Sequence, residues 1–221
     1  SYDLEYCSWS NVPDADFAMQ DDHSWVIGQF VWTGFDYLGE PSPYDTDAWP
    51  NHSSMFGMID LASIPKDRYY LYRSLWNTRE HTLHILPHWT WPGREGQATP
   101  VFVYTDYPSA ELFINGKSQG KISKRTDGTL QQRYRLMWND AVYEPGELKV
   151  VAYDKDGNVA DTKIVKTAGK PDHIQLISNV STLKSDGKDL AYVTVRMVDK
   201  DGNLCPMDSS LVKFNVSGAG I

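Results

Sequence analysis

The segment "WVIGQFVW", Trp25–Trp32, constrains the fold of this chain more than any other. It is apolar at nearly every position instead of alternating, which is typical of a parallel strand covered on both faces. The later segment "PKDRYYLYRSLW", Pro65–Trp76, places apolar residues at helical spacing and predicts a helix with its proline in the first turn. One parallel strand and one helix cannot bury each other, because such a strand needs neighbours on both edges. Residues 1–78 are therefore expected to be a piece of a larger α/β body.

Residues 79–168 have a different pattern, typical of a β-sandwich. Five short segments predict strands: "HTLHIL", "VFVYT", "AELFI", "RYRLMW" and "ELKVVAYD". Asn115 and Gly116 stand where a two-residue type I′ hairpin turn belongs, and Asp156 with Gly157 predicts a second turn. Short strands at this spacing favour an immunoglobulin-like sandwich, which usually has about 100 residues.

Residues 169–221 begin after the Gly- and Pro-containing linker "TAGKPD" and predict three strands, "HIQLIS", "LAYVTVRMVD" and "LVKFNVS". The segment "AYDKDGNV" is answered by "RMVDKDGNL", which indicates two related modules. As EF-hand calcium loops, these segments would need Glu at the twelfth position, where the chain has Val165 and Ser210, so turns are favoured. About fifty residues hold only half of a sandwich, so a partial second immunoglobulin-like domain, cut at its C-terminus, is expected.

The predicted fold class is therefore mainly β: immunoglobulin-like β-sandwich domains preceded by a piece of a larger α/β body. The net charge of −8 and the lack of clustered Lys and Arg argue against nucleic-acid and anionic-membrane partners. No apolar run approaches the roughly 18 residues of a membrane-spanning helix. Cys7 and Cys205 stand in no metal or redox spacing and are expected to be unpaired. No motif predicts a cofactor or a metal site, and the histidines at 81, 84 and 88 are expected to have surface or interdomain roles.

Carboxylates and aromatic residues crowd the segment "GQFVWTGFDYLGEPSPY", which suggests a sugar site. On a continued strand Asp36 and Glu40 would lie roughly 13 Å apart, too far for a glycosidase pair, although a folded loop would bring them closer. The alternatives are that they contact sugar hydroxyls or fix the loop. Trp32 closes the apolar segment, where its ring can stack on the C–H face of a hexose or simply pack in a core.

Other aromatic residues offer weaker candidates. Trp49, His52 and Phe56 lie in the long loop that follows, where a sugar contact and a packing role are both open. For Trp89 and Trp91 in "PHWTWPG", packing of the sandwich is favoured over a sugar platform.

The segment "GQFVWTGFDYLGEPSPY", followed by "SSMFGMIDLASIPKDRYYLYRSLW", resembles the last strand, loop and helix of the catalytic (β/α)8 barrel in family 2 glycoside hydrolases. The β-galactosidase-like members from gut bacteria are the most similar. The segment "HILPHWTWPGREGQATPVFVYTDYPSAELFINGKSQG" resembles the immunoglobulin-like domain after that barrel, and the part from Lys170 resembles a further bacterial module. The resemblance covers essentially the whole chain.

The resemblance implies a retaining glycosidase that acts on a carbohydrate substrate and uses two catalytic glutamates. Both glutamates would lie upstream, so no catalytic residue is expected in this chain. Trp32 matches the sugar-facing tryptophan of the family and Phe56 a position at the rim of the sugar site, while Asp36 and Glu40 lie within the family motif as further substrate-binding candidates. A periplasmic or secreted location follows from the resemblance alone, and a homo-oligomer is compatible with the sequence.

A second interpretation belongs to another class of protein, a non-catalytic carbohydrate-binding or structural immunoglobulin-like module. It would bind sugar through the 79–168 region, with Trp89 and Trp91 as the platform. Sugar affinity of this region alone, lost on calorimetry of Trp89→Ala and Trp91→Ala, would favour it.

Overall fold

The computed structural model describes residues 2–6, 8–38 and 53–218. A 3₁₀ helix spans Tyr2–Leu4, and the α-helices are α1 (Pro13–Asp22), α2 (Asp67–Trp76) and α3 (Leu130–Tyr134). The strands are β1 (Leu83–Leu86), β2 (Val101–Thr105), β3 (Ser109–Ile114), β4 (Lys117–Ser123), β5 (Leu136–Trp138), β6 (Glu147–Tyr153), β7 (Val159–Lys166), β8 (His173–Ser178) and β9 (Val193–Val198).

The first seven strands form two antiparallel sheets, ordered β1-β2-β5 and β4-β3-β6-β7. Alternate residues of both sheets point into a shared core that includes Leu112, Leu148 and Val150. The prediction of a mainly β fold is therefore confirmed, and the two packed sheets have the strand order of a seven-stranded immunoglobulin-like sandwich. Strands β4 and β7 were not among the predicted segments, since each carries many charged and polar residues.

The hairpin turn between β3 and β4 is confirmed in detail. Asn115 and Gly116 have φ angles of 49° and 78°, and Ile114 pairs directly with Lys117. Positive φ at both central residues is the type I′ geometry, whose twist matches that of the flanking strands.

Strand β2 is buried on both faces, which explains why all five of its residues are inaccessible. Val101 and Val103 face the sandwich core, while Phe102 and Tyr104 face a second apolar cluster that includes Phe17 of α1 and residues of α2. The helices before the sandwich are thus packed onto the outer surface of its three-stranded sheet.

A buried ionic network holds the same junction together. Arg135 is fully buried; its Nε donates to Asp14 Oδ1 at 2.7 Å and its Nη1 to Asp3 Oδ2 at 2.7 Å. Tyr104 also bonds to Asp3, and Arg68 Nε of α2 donates to Asp3 Oδ1 at 3.1 Å. Burial opposes the charge on Arg135, yet its hydrogen bond to Asp14 and the surrounding negative charges raise the pKa of the guanidinium above its ordinary value. The network ties the N-terminal segment to the sandwich.

The predicted strand Trp25–Trp32 is wrong for this structure. The segment forms no strand within the described residues, and Ile27 and Phe30 are fully exposed. The physical reason is that a parallel strand exists only when a neighbouring strand completes its hydrogen bonds. Within the described residues this segment has no such neighbour.

Several helix and strand boundaries also differ from the predictions. Helix α2 is confirmed but begins at Asp67, with Lys66 as its N-cap, so Pro65 lies outside it. Helix α1 was not predicted, because its acidic sequence has little amphipathic pattern; Pro13 at its start and the two aspartates of its first turn favour the helix instead. The segment "RYRLMW" is divided between α3 and β5.

The last region contains one antiparallel hairpin, in which His173 pairs with Val198 and Ser178 with Val193. The third predicted strand, "LVKFNVS" at 211–217, is not formed. Its apolar side chains, such as Phe214, are exposed, and it pairs with no strand in the described part of the chain.

The linker between the sandwich and this hairpin is pinned by hydrogen bonds. Ala168 N donates to Thr90 Oγ1 at 2.9 Å, and Gly169 N donates to Asp199 Oδ2 at 2.8 Å. Asp199 begins the second "DKDGN" turn, whereas Asp154 of the first copy makes the same turn without a linker contact. Both copies are turns, as predicted. The repeated motif therefore acquires a second role in its second copy.

Replacing Asp199 by Asn is expected to loosen this linker. The amide of Gly169 loses a charged acceptor, so exchange of amide hydrogens in residues 167–172 should accelerate roughly tenfold at neutral pH. Hydrogen exchange read by mass spectrometry measures it, and Asp154→Asn is the matched control that should leave the linker unchanged. Equal acceleration in both variants would contradict the linker role.

The same contact should depend on pH. Hydrogen bonds from Gly169 and Asn203 lower the pKa of Asp199 from 3.8 to about 2. Because the folded-state pKa lies below the unfolded value, the stabilisation is complete above that unfolded value and is lost as the pH falls toward 2. Linker protection, corrected for intrinsic exchange, should follow that course.

Candidate functional site

Two separate segments pair beside the exposed indole of Trp32. Asp36 N donates to Ile59 O at 2.9 Å, and Ser54 N donates to Tyr37 O at 2.9 Å. Met58 N also donates to the carbonyl of residue 33, at 3.1 Å. This pairing of residues 33–38 with residues 53–59 brings Trp32 and Phe56 close together, although they are distant in sequence.

Three aromatic rings form a row at this place. The Trp32 indole is 76% exposed, and its Nε1 donates to the Tyr37 hydroxyl at 3.2 Å. The rings of Trp32 and Tyr37 meet edge to face with centroids 6.2 Å apart, and the ring centroids of Tyr37 and Phe56 are 6.4 Å apart. We call Trp32, Tyr37 and Phe56 the aromatic wall. An exposed ring held by a hydrogen bond from its own nitrogen offers a flat apolar face of defined orientation.

A cleft of 420 Å³ lies against Trp32 and Phe56. Its other side is formed by the entry to α1, where Asn11 and Asp16 lie, and by Arg68 of α2. The cleft combines aromatic faces with amide, carboxylate and guanidinium groups, a mixture suited to sugars, which present both C–H faces and hydroxyls.

Asp36 does not face this cleft as a free acid. It is 9% exposed, and its Oδ1 accepts hydrogen bonds from Gly57 N at 2.8 Å and from Lys66 Nζ at 2.9 Å. Its Oδ2 lies 2.7 Å from the same Lys66 nitrogen. Of the two roles considered for this carboxylate, the contacts are those of loop fixing. Glu40, Trp49 and His52 lie outside the described residues.

Sequence reasoning missed three residues of the site: Tyr37, Gly57 and Lys66. A Cβ on Gly57 would lie 2.2 Å from the backbone nitrogen of Asp36, so the close approach of the two segments requires glycine. Lys66 is the N-cap of α2, where the positive end of the helix disfavours a cation. That unfavourable position was a readable signal that this lysine has an acidic partner.

The histidines at 81, 84 and 88 diverge and bind different groups. His84 Nε2 lies 2.6 Å from Asp67 Oδ1 at the start of α2, so this side chain links β1 to the helix before the sandwich. The partners are Asp106 for His81, Asp67 and the Tyr70 ring for His84, and the Trp91 ring for His88. The described residues contain no group of three or more His, Cys, Asp or Glu side chains placed to hold a metal ion.

Trp89 is fully buried in the sandwich core, and its Nε1 donates to Glu144 O at 3.0 Å. The predicted packing role is therefore confirmed for this residue, and its ring cannot serve as a sugar platform. Trp91 is partly buried and packs on the same core. Among the residues that the structure describes, no helix has both the length and the apolar character needed to span a bilayer.

Two family models match the chain. Residues 96–161 match "Domain of unknown function (DUF4982)", and residues 174–221 match "Glycoside hydrolase family 2 C-terminal domain 5". The second match covers the hairpin region after the linker.

Individual relatives extend the similarity to the N-terminal region, residues 1–78. A β-galactosidase of Bacteroides ovatus is 45% identical over all 221 residues, which correspond to 24% of its own length. A putative β-glucuronidase of Formosa agariphila is 35% identical over 89% of the chain and 18% of its own length. The chain thus spans about a quarter or less of these curated relatives.

Solved structures agree with these matches. A β-glycosidase from Bacteroides vulgatus superposes with a TM-score of 0.77 at 34% identity, covering 92% of this chain and 25% of that one. A family 2 glycosyl hydrolase from Bacteroides cellulosilyticus gives a TM-score of 0.71 at 32% identity, over 83% and 27%. The fold and the sequence therefore point to the same group of enzymes.

Proposed function

Because this chain is homologous to the C-terminal part of family 2 glycoside hydrolases, we propose that it belongs to a retaining β-galactosidase. In this proposal residues 1–78 supply the last strand, loop and helix of the catalytic barrel, residues 79–168 the supporting sandwich, and residues 169–221 part of a second immunoglobulin-like domain. The enzyme hydrolyses terminal β-galactosides by double displacement through two glutamates supplied by other parts of the longer protein. Export to the periplasm or the medium belongs to the proposal on the strength of the homology alone.

The observation that carries the proposal is the aromatic wall beside the cleft. Trp32 is largely exposed yet oriented by Tyr37, an arrangement that packing alone does not require. An indole face receives the C–H groups of a hexose ring, and Phe56 extends the apolar surface at the rim. We assign the sugar contact to Trp32 and Phe56, and retain Glu40 as a candidate for a hydroxyl contact.

The barrel assignment of residues 1–78 is supported by surface that this chain leaves uncovered. Ile27 and Phe30 are fully exposed. On a strand these two positions would lie on opposite faces, so apolar side chains at both match a strand that is covered on both faces, as in a closed barrel. Strands contributed by the rest of the enzyme would cover them.

The relatives include a β-galactosidase and several β-glucuronidases, and charge favours a neutral sugar here. A glucuronide carries a carboxylate, which calls for a cation at the site. Among the described residues near the aromatic wall, Lys66 is paired with Asp36 and Arg68 with Asp3. Both cations already face acidic partners, so we propose a galactoside as the substrate.

The experiment compares the longer enzyme, its Trp32→Ala variant and the isolated 221-residue chain on nitrophenyl β-galactoside and β-glucuronide. We expect galactoside turnover by the longer enzyme and none by the isolated chain. Loss of the stacking face should lower kcat/KM of the variant by about 10- to 100-fold, since each tenfold corresponds to about 1.4 kcal/mol of transition-state stabilisation.

Trp91→Ala is the control, because this ring packs on the sandwich away from the aromatic wall and should leave kcat/KM unchanged. Comparable turnover by the isolated chain, or a preference for the glucuronide, would overturn the proposal.

A further inference from the structure

We propose that Asp36 and Lys66 are positioning residues, which act by holding Phe56 and the aromatic wall in place for the sugar. The inference rests on the proposed function and deepens it. Neither side chain needs to touch the sugar in this account. Their effect passes through the backbone of the turn that carries Phe56.

The ion pair bridges three parts of the site. Asp36 lies in the segment just after Trp32, Lys66 is the N-cap of α2, and Gly57 directly follows Phe56. Asp36 Oδ1 accepts from both partners, at 2.8 Å from Gly57 N and 2.9 Å from Lys66 Nζ. One carboxylate therefore joins the Trp32 segment, the Phe56 turn and the start of the helix.

Lys66 holds the same turn a second time. Its Nζ donates to Met55 O at 3.4 Å and its backbone nitrogen donates to Met58 O at 2.9 Å. These contacts lie on the two sides of Phe56 and Gly57. The ring of Phe56 thus projects from a turn whose two ends are both held by one residue.

Burial makes the pair sensitive to substitution. The side chains of Lys66 and Asp36 are 33% and 7% exposed. Removing the lysine would leave a carboxylate that is largely shielded from water without its cation, and the segment would move to solvate it. Since a site loses function when its supporting contacts let it shift by about 1 Å, the consequence should appear as weaker sugar binding.

The test uses the longer enzyme with Lys66→Met, Asp36→Asn and Lys66→Arg. We expect Lys66→Met and Asp36→Asn to raise KM for the β-galactoside roughly tenfold while kcat changes less than about threefold, because a misplaced wall weakens binding before it alters the chemical groups. Lys66→Arg keeps the cation and should restore most of the loss. A general loss of folding would lower the amount of active enzyme, and so kcat, instead of producing this split.

Asp60→Asn is the matched control. Asp60 Oδ1 accepts from Ala62 N and Ile64 N, both at 2.8 Å, in the adjacent turn, without a contact to the aromatic wall. It should leave KM unchanged. A KM of Lys66→Met or Asp36→Asn equal to that of the parent enzyme would overturn the inference, as would an Asp60→Asn effect of the same size.

Amide exchange of residues 53–58 separates this inference from the proposed function. If the parent enzyme hydrolyses no β-galactoside, the proposed function fails, while faster exchange in Lys66→Met than in Asp60→Asn would still support the positioning role. Equal exchange in the two variants would overturn it.

Discussion

Replacing Arg135 by methionine is expected to lower the free energy of unfolding by about 3–5 kcal/mol, a typical cost of removing one partner from a buried ion pair. The variant keeps an unbranched side chain of similar length but removes the Arg135 cation from both Asp14 and Asp3. Both carboxylates are inaccessible to water. Urea denaturation of parent and variant, followed by tryptophan fluorescence, measures the difference.

Arg133→Met is the matched control, two residues away in the chain. Arg133 forms a two-pronged pair with Asp22, both contacts at 2.8 Å, but this pair lies at the surface. Exposed pairs contribute little, because water already solvates both charges. A loss for Arg135→Met no larger than that for Arg133→Met would show that the buried network does not hold the junction.

Truncation of Trp89 to alanine should destabilise the protein by a similar amount, about 3–5 kcal/mol, the range for removing a large aromatic side chain from a core. The ring is fully buried, meets Tyr143 edge to face at 5.1 Å and donates to Glu144 O. The backbone carbonyl of Trp89 also accepts a hydrogen bond from Thr167 Oγ1 at 2.5 Å. A backbone shift at residue 89 after the truncation would therefore loosen the linker. Thermal denaturation read by circular dichroism provides the measurement.

Trp91→Ala serves as the comparison, because the ring of Trp91 is only partly buried and leaves a smaller cavity.

Calorimetry with β-linked oligosaccharides on the parent and Trp91→Ala then tests the interpretation as a sugar-binding module. Binding by the parent that disappears with Trp91 would revive that interpretation; the burial of Trp89 argues against it.

These two predictions concern residues of the sandwich, on which the helix beside the aromatic wall packs. Arg68 of α2 lines the cleft beside the wall and donates a hydrogen bond to Asp3 of the buried network. Helix α2 itself packs on β2. The sandwich therefore acts on the site through the helix that rests on it. This arrangement is a physical reason for the N-terminal helices and the sandwich to occur in one chain.

Features that depend on neighbouring residues were predictable. The type I′ turn at Asn115 and Gly116 follows from the ease with which these residues adopt positive φ. Helix α2 follows from its apolar spacing, and the alternating strands of the sandwich follow from a period of two. Each of these features depends on residues that are close together in the sequence, so the sequence alone is enough to predict it.

Helix α1 and the strands β4 and β7 were missed for the opposite reason. Helix α1 has almost no amphipathic pattern, and it is held by Asp14 on Arg135 and by Phe17 in the cluster around β2. Strands β4 and β7 flank β3 and β6 and take their structure from those partners. Tertiary contacts overrode weak local preferences in each case.

The candidate site divides in the same way. The amino-acid sequence by itself marked Trp32 and Phe56, since an indole ending an apolar segment and an aromatic residue in the following loop are visible as residue types. Only the tertiary structure decided that Asp36 belongs to Lys66 and Gly57, that Tyr37 orients the indole, and that Arg135 binds Asp3 and Asp14. Pairings of this kind join residues far apart along the chain, and a charge or a hydroxyl selects its partner by distance in space, which exists only after the segments between them have packed.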